Sequence, residues 1–479
     1  MNNIGIIKDS TIKLDGLTVI TGKNNSGKST VGKVLYSLVE GIRDIRNRAE
    51  LDKRSYAFSM LENVIDDLSF LRDMVYYDKK SAFFQDKPTL EYFLKRRPMT
   101  KFDVTFDNTK VFLEKILIEL QSLEIQKIVN NKRIRLFYSR SIRNEVDVSD
   151  QVKNEIENAV SVVRKIITDI GKDETLENYR KESVNQTLNV EFSNQIQPVM
   201  RNVDVSNIRV SDGEKYFFDI FIKKDSLEKK SMLSLDFPLK KAYFIDNPFI
   251  LDKISSGISG IDMHFLRKYR TFESDSYLDS HRILPHETML LNFLKKPKQN
   301  SVFEETLKNA KLEDIKDKID AILPGVFEFS DEGSFIVNKG KKLNLYNLAT
   351  GSKFFSILKM LIEKDALDEN TVLILDEPES HLHPEWENIV AEITVLLAKK
   401  LGVKILLTTH SSNFMLAVDA YMKKYDFIDK TNFYKTKIID DGLVKYDLVN
   451  ENMEKIYEEF YVPFSRMKQL RDELLKNDD

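Results

Sequence analysis

The sequence predicts an α/β protein, a mixed sheet flanked by helices and interrupted by two mainly helical insertions. Three observations predict it. Apolar strands alternate with amphipathic helices in "TVLILDE", "EWENIVAEITVLLAKK", "VKILLTTH" and "NFMLAVDAYMKK", and such alternation implies parallel strands joined by crossover helices. Near the start of the chain a strand, a glycine-containing loop and a helix follow one another, in "LTVIT", "GKNNSGKST" and "VGKVLYSLVEGI". Between these two regions lie long charged stretches whose apolar residues recur at three- and four-residue spacing.

In chain order, residues 1–48 read as short strands "IGIIKD" and "TIKL", a turn at Asp15-Gly16, the strand "LTVIT", and a helix that runs from the loop to about residue 48. Residues 49–186 form the first helical insertion, seen in "NTKVFLEKILIELQSLEIQKIV" and "DQVKNEIENAVSVVRKIITDIG"; no sustained heptad marks a coiled-coil arm. Strand character returns over 187–246, at "TLNVEF", at "NIRVSDGEKYFFDIFIKKD" with a turn at Asp212-Gly213, and at "KKAYFID". Residues 247–320 form the second, irregular insertion. Residues 321–450 bring the chain back, first as the hairpin "VFEFSDEGSFIVNKG", which turns near Glu332-Gly333, then as "LYNLATGSKFFSILKML" and the strand-helix series. Residues 451–479 read as C-terminal helices. The sheet domain is therefore discontinuous, with two excursions out of it.

Composition narrows the function classes. A chain of 479 residues exceeds one ordinary core, so two to four structural units are expected. With 42% hydrophobic and 31% charged residues and no apolar run near the length of a membrane span, a cytoplasmic globular protein without membrane partners is expected. The first residues, "MNNIGIIKDS", lack the layout of a signal peptide. The absence of cysteine excludes disulfides, thiolate chemistry and cysteine-ligated zinc. A formal charge of −3 argues against bulk nonspecific nucleic-acid binding; local basic patches leave such contacts open without requiring them.

The composition of the loop is what a phosphate site needs. Gly22, four residues, then Gly27-Lys28-Ser29 spell G-x-x-x-x-G-K-[ST] between a strand and a helix. Glycines let successive N–H groups turn inward and, with the helix N-terminus, form an anion cradle; the bland reading is a glycine turn capping a helix. Gly22, Asn25, Ser26, Gly27, Lys28, Ser29 and Thr30 are the expected binding set for ATP. Lys28 would reach the β and γ phosphates, and the Ser29 hydroxyl would help hold Mg²⁺.

"TVLILDEPESHLHPEW" supplies the second half of such a site. Its strand ends at Asp376 and Glu377, where the carboxyl end of the sheet would meet a nucleotide. Asp376 is placed to bind Mg²⁺, and Glu377, one residue further, to orient or deprotonate water. "ILLTTHSSNF" is a further strand that ends at His410, whose imidazole can donate to a γ-phosphate.

The runs Gly22 to Ser29, Asp376-Glu377-Pro378 and Thr409-His410-Ser411 resemble the Walker A, Walker B and switch-histidine motifs of the ABC-type ATPase superfamily. The likeness is closest to the soluble branch that includes SMC and RecF-like ATPases and the OLD-like AAA ATPases of prokaryotic defence; "DEPE", one residue, then "HLHP" is similar to the OLD-like group. The resemblance implies an ABC-type P-loop NTPase head with catalytic Lys28, Glu377 and His410. It also implies a signature loop that serves the nucleotide of a second subunit. "LATGSK" resembles the SMC-like "LSSGEK", with Thr350, Gly351 and Ser352 as the contacts and Ala349 where the family usually has serine. Two heads would then close on two ATPs, as a homodimer or larger homo-oligomer. Too few residues follow His410 for an appended nuclease. The likeness is thus to stand-alone ATPase components of two-gene phage-defence systems such as PARIS or Septu, which implies a separate effector protein encoded nearby. An SMC/RecF-like DNA-repair or DNA-clamping ATPase is the alternative.

Weaker signals remain. His381 and His383 beside Glu379 suggest a metal site, against which stands Pro384 as a helix start; Glu379 and Ser380 occupy the family's D-loop position. Gln195 and Gln197 are the candidates for the Q-loop glutamine. "NKRIRLFYSRSIR" over 131–143 interleaves cations with aromatics, as a nucleic-acid surface or as a solvated face.

Overall fold

The computed structural model describes residues 1–77, 82–95, 106–138, 145–171, 176–199, 201–255, 284–296, 302–330, 333–439 and 442–477. The described residues fall in two compact units, one within Met1–Arg43, Arg180–Arg270 and Ile283–Asp479, the other within Asp44–Tyr179.

The first unit holds fifteen strands among its described residues. They are β1 (Asn2–Ile4), β2 (Ile7–Asp9), β3 (Leu17–Thr21), β4 (Ser206–Asp212), β5 (Lys215–Lys223), β6 (Ser226–Leu227), β7 (Met232–Leu233), β8 (Lys241–Ile245), β9 (Val326–Ser330), β10 (Gly333–Asn338), β11 (Lys341–Asn344), β12 (Thr371–Asp376), β13 (Lys404–Thr409), β14 (Thr431–Ile438) and β15 (Val444–Leu448). Twelve form one mixed sheet in the order β6-β5-β4-β1-β2-β15-β14-β3-β13-β12-β8, with β7 on β5. The run β14-β3-β13-β12-β8 is parallel throughout. Strands β9, β10 and β11 make a separate antiparallel sheet.

Parallel strands covered on both faces read as unbroken apolar runs, which is why "LTVIT" and "TVLIL" show no alternation. Ile20, Ile374, Leu406 and Phe244 point to one layer, where helix Lys28–Ile42 packs through Val31, Val34 and Leu35. Leu17, Leu373, Leu375 and Leu407 point to the other, against helices Thr350–Glu363, Pro384–Leu401 and Ser412–Lys424. The register pairs Thr21 with Thr409, Thr408 with Asp376 and Leu375 with Ile245, so four strands end level with one another.

Several local expectations differ from the structure. "TLNVEF" is not a strand: helix Leu176–Glu191 takes in all but its last residue, burying Val184, Thr187, Leu188 and Glu191 at helical spacing. The helix after the loop stops at Ile42 rather than near 48; Arg43 is extended, Asp44 is left-handed, and a new helix begins at Ile45. "TIKL" forms no strand. The described helices of the second expected excursion, His286–Lys295 and Val302–Ile322, bury Leu290, Leu294, Leu312, Ile315 and Ile319 in the core of the first unit, so they belong to the sheet domain instead of leaving it. The C-terminal region is one helix, Glu454–Asn477.

The second unit is helical, comprising Ile45–Asp67, Ser69–Tyr77, Pro88–Lys95, Phe106–Gln121, Ile125–Val129, Lys132–Tyr138 and Glu145–Gly171. Its own core holds Leu61, Val64, Leu71, Ile116, Ile128, Ile156 and Ile166. The basic stretch is mostly the helix Lys132–Tyr138. Arg135 turns back onto Val129 O at 3.1 Å and Asn130 Oδ1 at 3.0 Å, and Tyr138 is buried against Glu155. Arg140 and Arg143 lie outside the described residues.

Candidate functional site

The glycine loop closes because two positions have no room for a side chain or demand a positive φ. A Cβ on Gly22 would stand 1.7 Å from Thr436 Oγ1 on β14. Gly27 is left-handed at φ 76° and caps helix Lys28–Ile42, and its carbonyl accepts a 2.7 Å bond from the Tyr446 hydroxyl. Asn25 is also left-handed, at φ 62°. Ser26 Oγ is buried inside this turn without a hydrogen-bond partner. The Lys28 side chain, 4% exposed, donates to the carbonyls of Gly22 and Lys23, both at 3.0 Å.

The acidic strand end meets the loop. Lys28 Nζ lies 3.2 Å from Glu377 Oε1, and the Ser29 hydroxyl hydrogen-bonds the Asp376 carboxylate. Thr408 on the neighbouring strand donates its hydroxyl to Asp376 Oδ1, while its carbonyl and Oγ1 both accept from Glu377 N at 3.1 Å. Burial pushes the Asp376 carboxyl above the ordinary range, against the pull of the Ser29 and Thr408 hydroxyls; the charges of Glu377 and Asp246 add to the rise. Glu377 is left-handed at φ 50° just before Pro378, and this turn aims its carboxylate sideways at Lys28 and at His410 Nδ1, 3.2 Å from Oε2.

Glu379 ties the acidic turn to the histidine loop. Its Oε1 accepts from Thr409 Oγ1 at 2.6 Å, His410 N at 3.0 Å and Ser411 N at 3.3 Å. Burial raises its pKa, countered by these donors and the nearby imidazole. Ser411 caps the next helix by accepting from Phe414 N and donates to Glu387 at 2.9 Å.

The structure thus joins Lys28, Ser29, Asp376, Glu377 and His410 in one network, although the chain separates them widely. Thr350, Gly351 and Ser352 stand apart from that network. They open helix Thr350–Glu363, and Gly351 packs beneath Trp386, whose ring carbons would lie 2.8 and 2.9 Å from an added Cβ. Gln197 is engaged elsewhere, with Ser206 Oγ at 3.1 Å and Asp225 N at 3.3 Å, and Gln195 is exposed in the loop beyond helix Leu176–Glu191. Pro384 does start a helix, capped by His383, whose Nδ1 accepts from Glu385 N. His381 packs its ring against Phe249. Sequence reasoning missed Asp246, the residue that follows β8 and lines a cavity with Asp376, Glu377 and Pro378. The only signal for it was "KKAYFID", a strand ending in a carboxylate.

The residues present suit a magnesium-bound triphosphate. Ser26 offers an unused buried hydroxyl, Lys28 a cation turned onto backbone oxygens, and Ser29 with Asp376 a hydroxyl and a buried carboxylate side by side. Oxygen ligands of this kind favour a hard divalent cation.

Fold and glycine loop together describe a P-loop domain of the AAA type. A sequence profile for the family described as "AAA domain, putative AbiEii toxin, Type IV TA system" matches residues 17–417, and the chain belongs to that family. No curated protein matches it. Solved structures similar to it include two Smc head domains. One is the Smc head domain with an extended coiled coil bound to the C-terminal domain of ScpA, from Pyrococcus furiosus, at 10% identity over 96% of this chain and 97% of that one, with a TM-score of 0.30. The other is the Smc head domain with a coiled coil and joint, from Pyrococcus yayanosii, at 12% identity over 95% and 98%, with a TM-score of 0.31. No helix among the described residues is long and apolar enough to cross a membrane.

Proposed function

We propose that this chain is a Mg²⁺-dependent ATPase that closes on ATP as a dimer or larger assembly and controls a separate effector protein, as the sensor or regulator of an antiviral defence system. The observation that carries the catalytic half is the 3.2 Å contact between Lys28 and Glu377, beside the hydrogen bond of Ser29 to Asp376. Lys28 would leave Gly22 O and Lys23 O for the β and γ phosphates, and Ser26 Oγ would gain the partner it lacks. Ser29 and Asp376 would hold Mg²⁺, which when bound supplies positive charge to the developing phosphate oxygens. Freed from Lys28, Glu377 would orient and deprotonate water, with His410 donating to the γ-phosphate from the next strand end.

Closure in trans would bring Thr350, Gly351 and Ser352 of one chain to the nucleotide of another, where the first turn of helix Thr350–Glu363 offers unpaired N–H groups to an anion. The family description, which names a putative toxin of a toxin–antitoxin system, supports a role in such a system without assigning the regulatory part.

Turnover of Mg-ATP by the purified chain tests the scheme. Lys28→Ala should abolish binding of a fluorescent ATP analogue. Glu377→Gln should lower turnover by about 10² or more, the range for a positioned general base, and should accumulate an ATP-bound oligomer in light scattering. Undiminished turnover in both variants would overturn it. Phage plating on cells that carry the gene with its neighbours tests the regulatory half: plating should fall, and recover with Glu377→Gln. Unchanged plating together with steeply salt-dependent, DNA-stimulated turnover would replace it with DNA clamping.

A further inference from the structure

A line of three charged groups, the inner two buried, runs to the edge of the site and is used by none of the roles above. Glu191 ends helix Leu176–Glu191 and is 5% exposed. Its Oε2 meets His286 Nδ1 at 2.7 Å and its Oε1 accepts from His286 N at 2.8 Å, so one carboxylate holds both ring and backbone of the histidine. The ring is stacked on Phe244 with centroids 4.3 Å apart and meets Tyr36 edge-on at 5.8 Å, which fixes its plane. Its Nε2 lies 3.0 Å from Asp246 Oδ2, at ion-pair distance but outside hydrogen-bond geometry.

Asp246 is where this line reaches the nucleotide site. Strand β8 runs parallel to β12 with Ile245 opposite Leu375, so Asp246 and Asp376 leave adjacent strands at the same level. The Asp246 side chain is 31% exposed, its charge acts on Asp376, and it lines the same cavity as Asp376 and Glu377. A salt bridge that served only stability would not require its outer carboxylate to face that cavity. The inner end is equally defined: Ser183, on the same helix as Glu191, donates to Gly41 O at 2.6 Å, which pins that helix to the one that follows the glycine loop.

We propose that His286, clamped by Glu191, is a positioning residue that holds Asp246 as a third carboxylate of the site, directed at the water shell of the cation beside Asp376. This rests on the reading of the site as one for Mg-ATP. The paired imidazole neutralises Asp246 enough for two carboxylates to share a strand-end edge, and it keeps Asp246 from swinging away when the cavity fills. Asp246, His286 and Glu287 also bring ligand atoms within 4.8 Å of one another. Glu287 is already paired with Lys253 at 3.2 Å, and both His286 nitrogens face carboxylates, so the arrangement is that of an ion-pair relay and not of a resident cation.

The test is cation affinity without turnover, with Mn²⁺ in place of Mg²⁺ and free Mn²⁺ read by electron paramagnetic resonance in the presence of a non-hydrolysable ATP analogue. Asp246→Asn and His286→Asn should each weaken Mn²⁺ binding about tenfold, within the range of outer-shell partners. The double variant should be no worse than Asp246→Asn alone, since the two act as a unit. Binding of the analogue in excess chelator should stay at the wild-type level. Should His286→Asn fold poorly, Glu191→Gln provides the same test from the other end of the line. Unchanged Mn²⁺ affinity in folded His286→Asn and Glu191→Gln overturns the inference, as do additive losses in the double variant. A cation held by the wild-type chain without nucleotide and lost in His286→Asn overturns it in favour of a resident metal. A wild-type chain that binds no nucleotide overturns the proposed function itself, whereas wild-type binding matched by every relay variant overturns this inference alone.

Discussion

At the scale of single residues the site depends on strain and close approach. A left-handed non-glycine residue costs on the order of 1–3 kcal/mol and persists only where its surroundings hold it; at Glu377 the holder is Thr408, fully buried, with both its carbonyl and its hydroxyl on Glu377 N. Thr408→Val keeps the shape and removes the hydroxyl that serves Asp376 and Glu377. It should cost about 1–3 kcal/mol in chemical denaturation and weaken Mg-ATP binding in the same direction. Gly22→Ala should be harsher, because its Cβ would meet Thr436 Oγ1 at 1.7 Å and Thr436 Cβ at 2.9 Å. Nucleotide affinity measured by fluorescence should be lost, and Thr436→Ala should restore only part of it, since the second clash survives.

At the scale of elements, the parallel strands and the helices after them were legible because each is long, apolar and bounded, as in "TVLIL" before Asp376 and "ILLTT" before His410. "TLNVEF" was misread because alternating Leu and Val next to Phe fits a strand template as well as a helix face; tertiary packing of Val184 and Leu188 decided it. Lys28, Asp376 and Glu377 could be read from motifs, whereas the relay could not, because Glu191 and His286 are joined only through a fold that spans 95 residues of chain. Helix Val302–Ile322, expected in an excursion, is fastened to the core by charge as well as by apolar contacts. Glu392 on helix Pro384–Leu401 pairs with Lys318 at 2.7 Å and accepts from Lys424 at 2.9 Å and from the Tyr425 hydroxyl. Burial works to raise its pKa, but these donors outweigh that and hold it down to about 2, from 4.5. A depressed folded pKa stabilises above the unfolded value and is lost as pH falls through the folded one. Glu392→Gln should therefore cost about 2 kcal/mol at neutral pH. In thermal unfolding its deficit should shrink as pH falls from 4.5 towards 2.

At the scale of the molecule, two units with separate cores carry unequal chemistry. All the residues of the network of Lys28, Ser29, Asp376, Glu377 and His410 lie in the first, and the second has a helical core of its own. A ligand that binds only the folded form stabilises by about 2.7 kcal/mol at a hundred times its Kd. A non-hydrolysable ATP analogue at that excess should raise hydrogen-exchange protection of β3, β12 and β13 and leave that of helix Glu145–Gly171 unchanged, as read by mass spectrometry.

The glycine loop holds its own counter-ion. With Lys28 salt-bridged to Glu377, the positive charge that would attract a triphosphate is already neutralised, and the carboxylate that would activate water is tethered. On the proposed reading, entry of a triphosphate would exchange one anion for another at Lys28, and the displaced carboxylate would be the one needed next. Loading and arming would then be a single event.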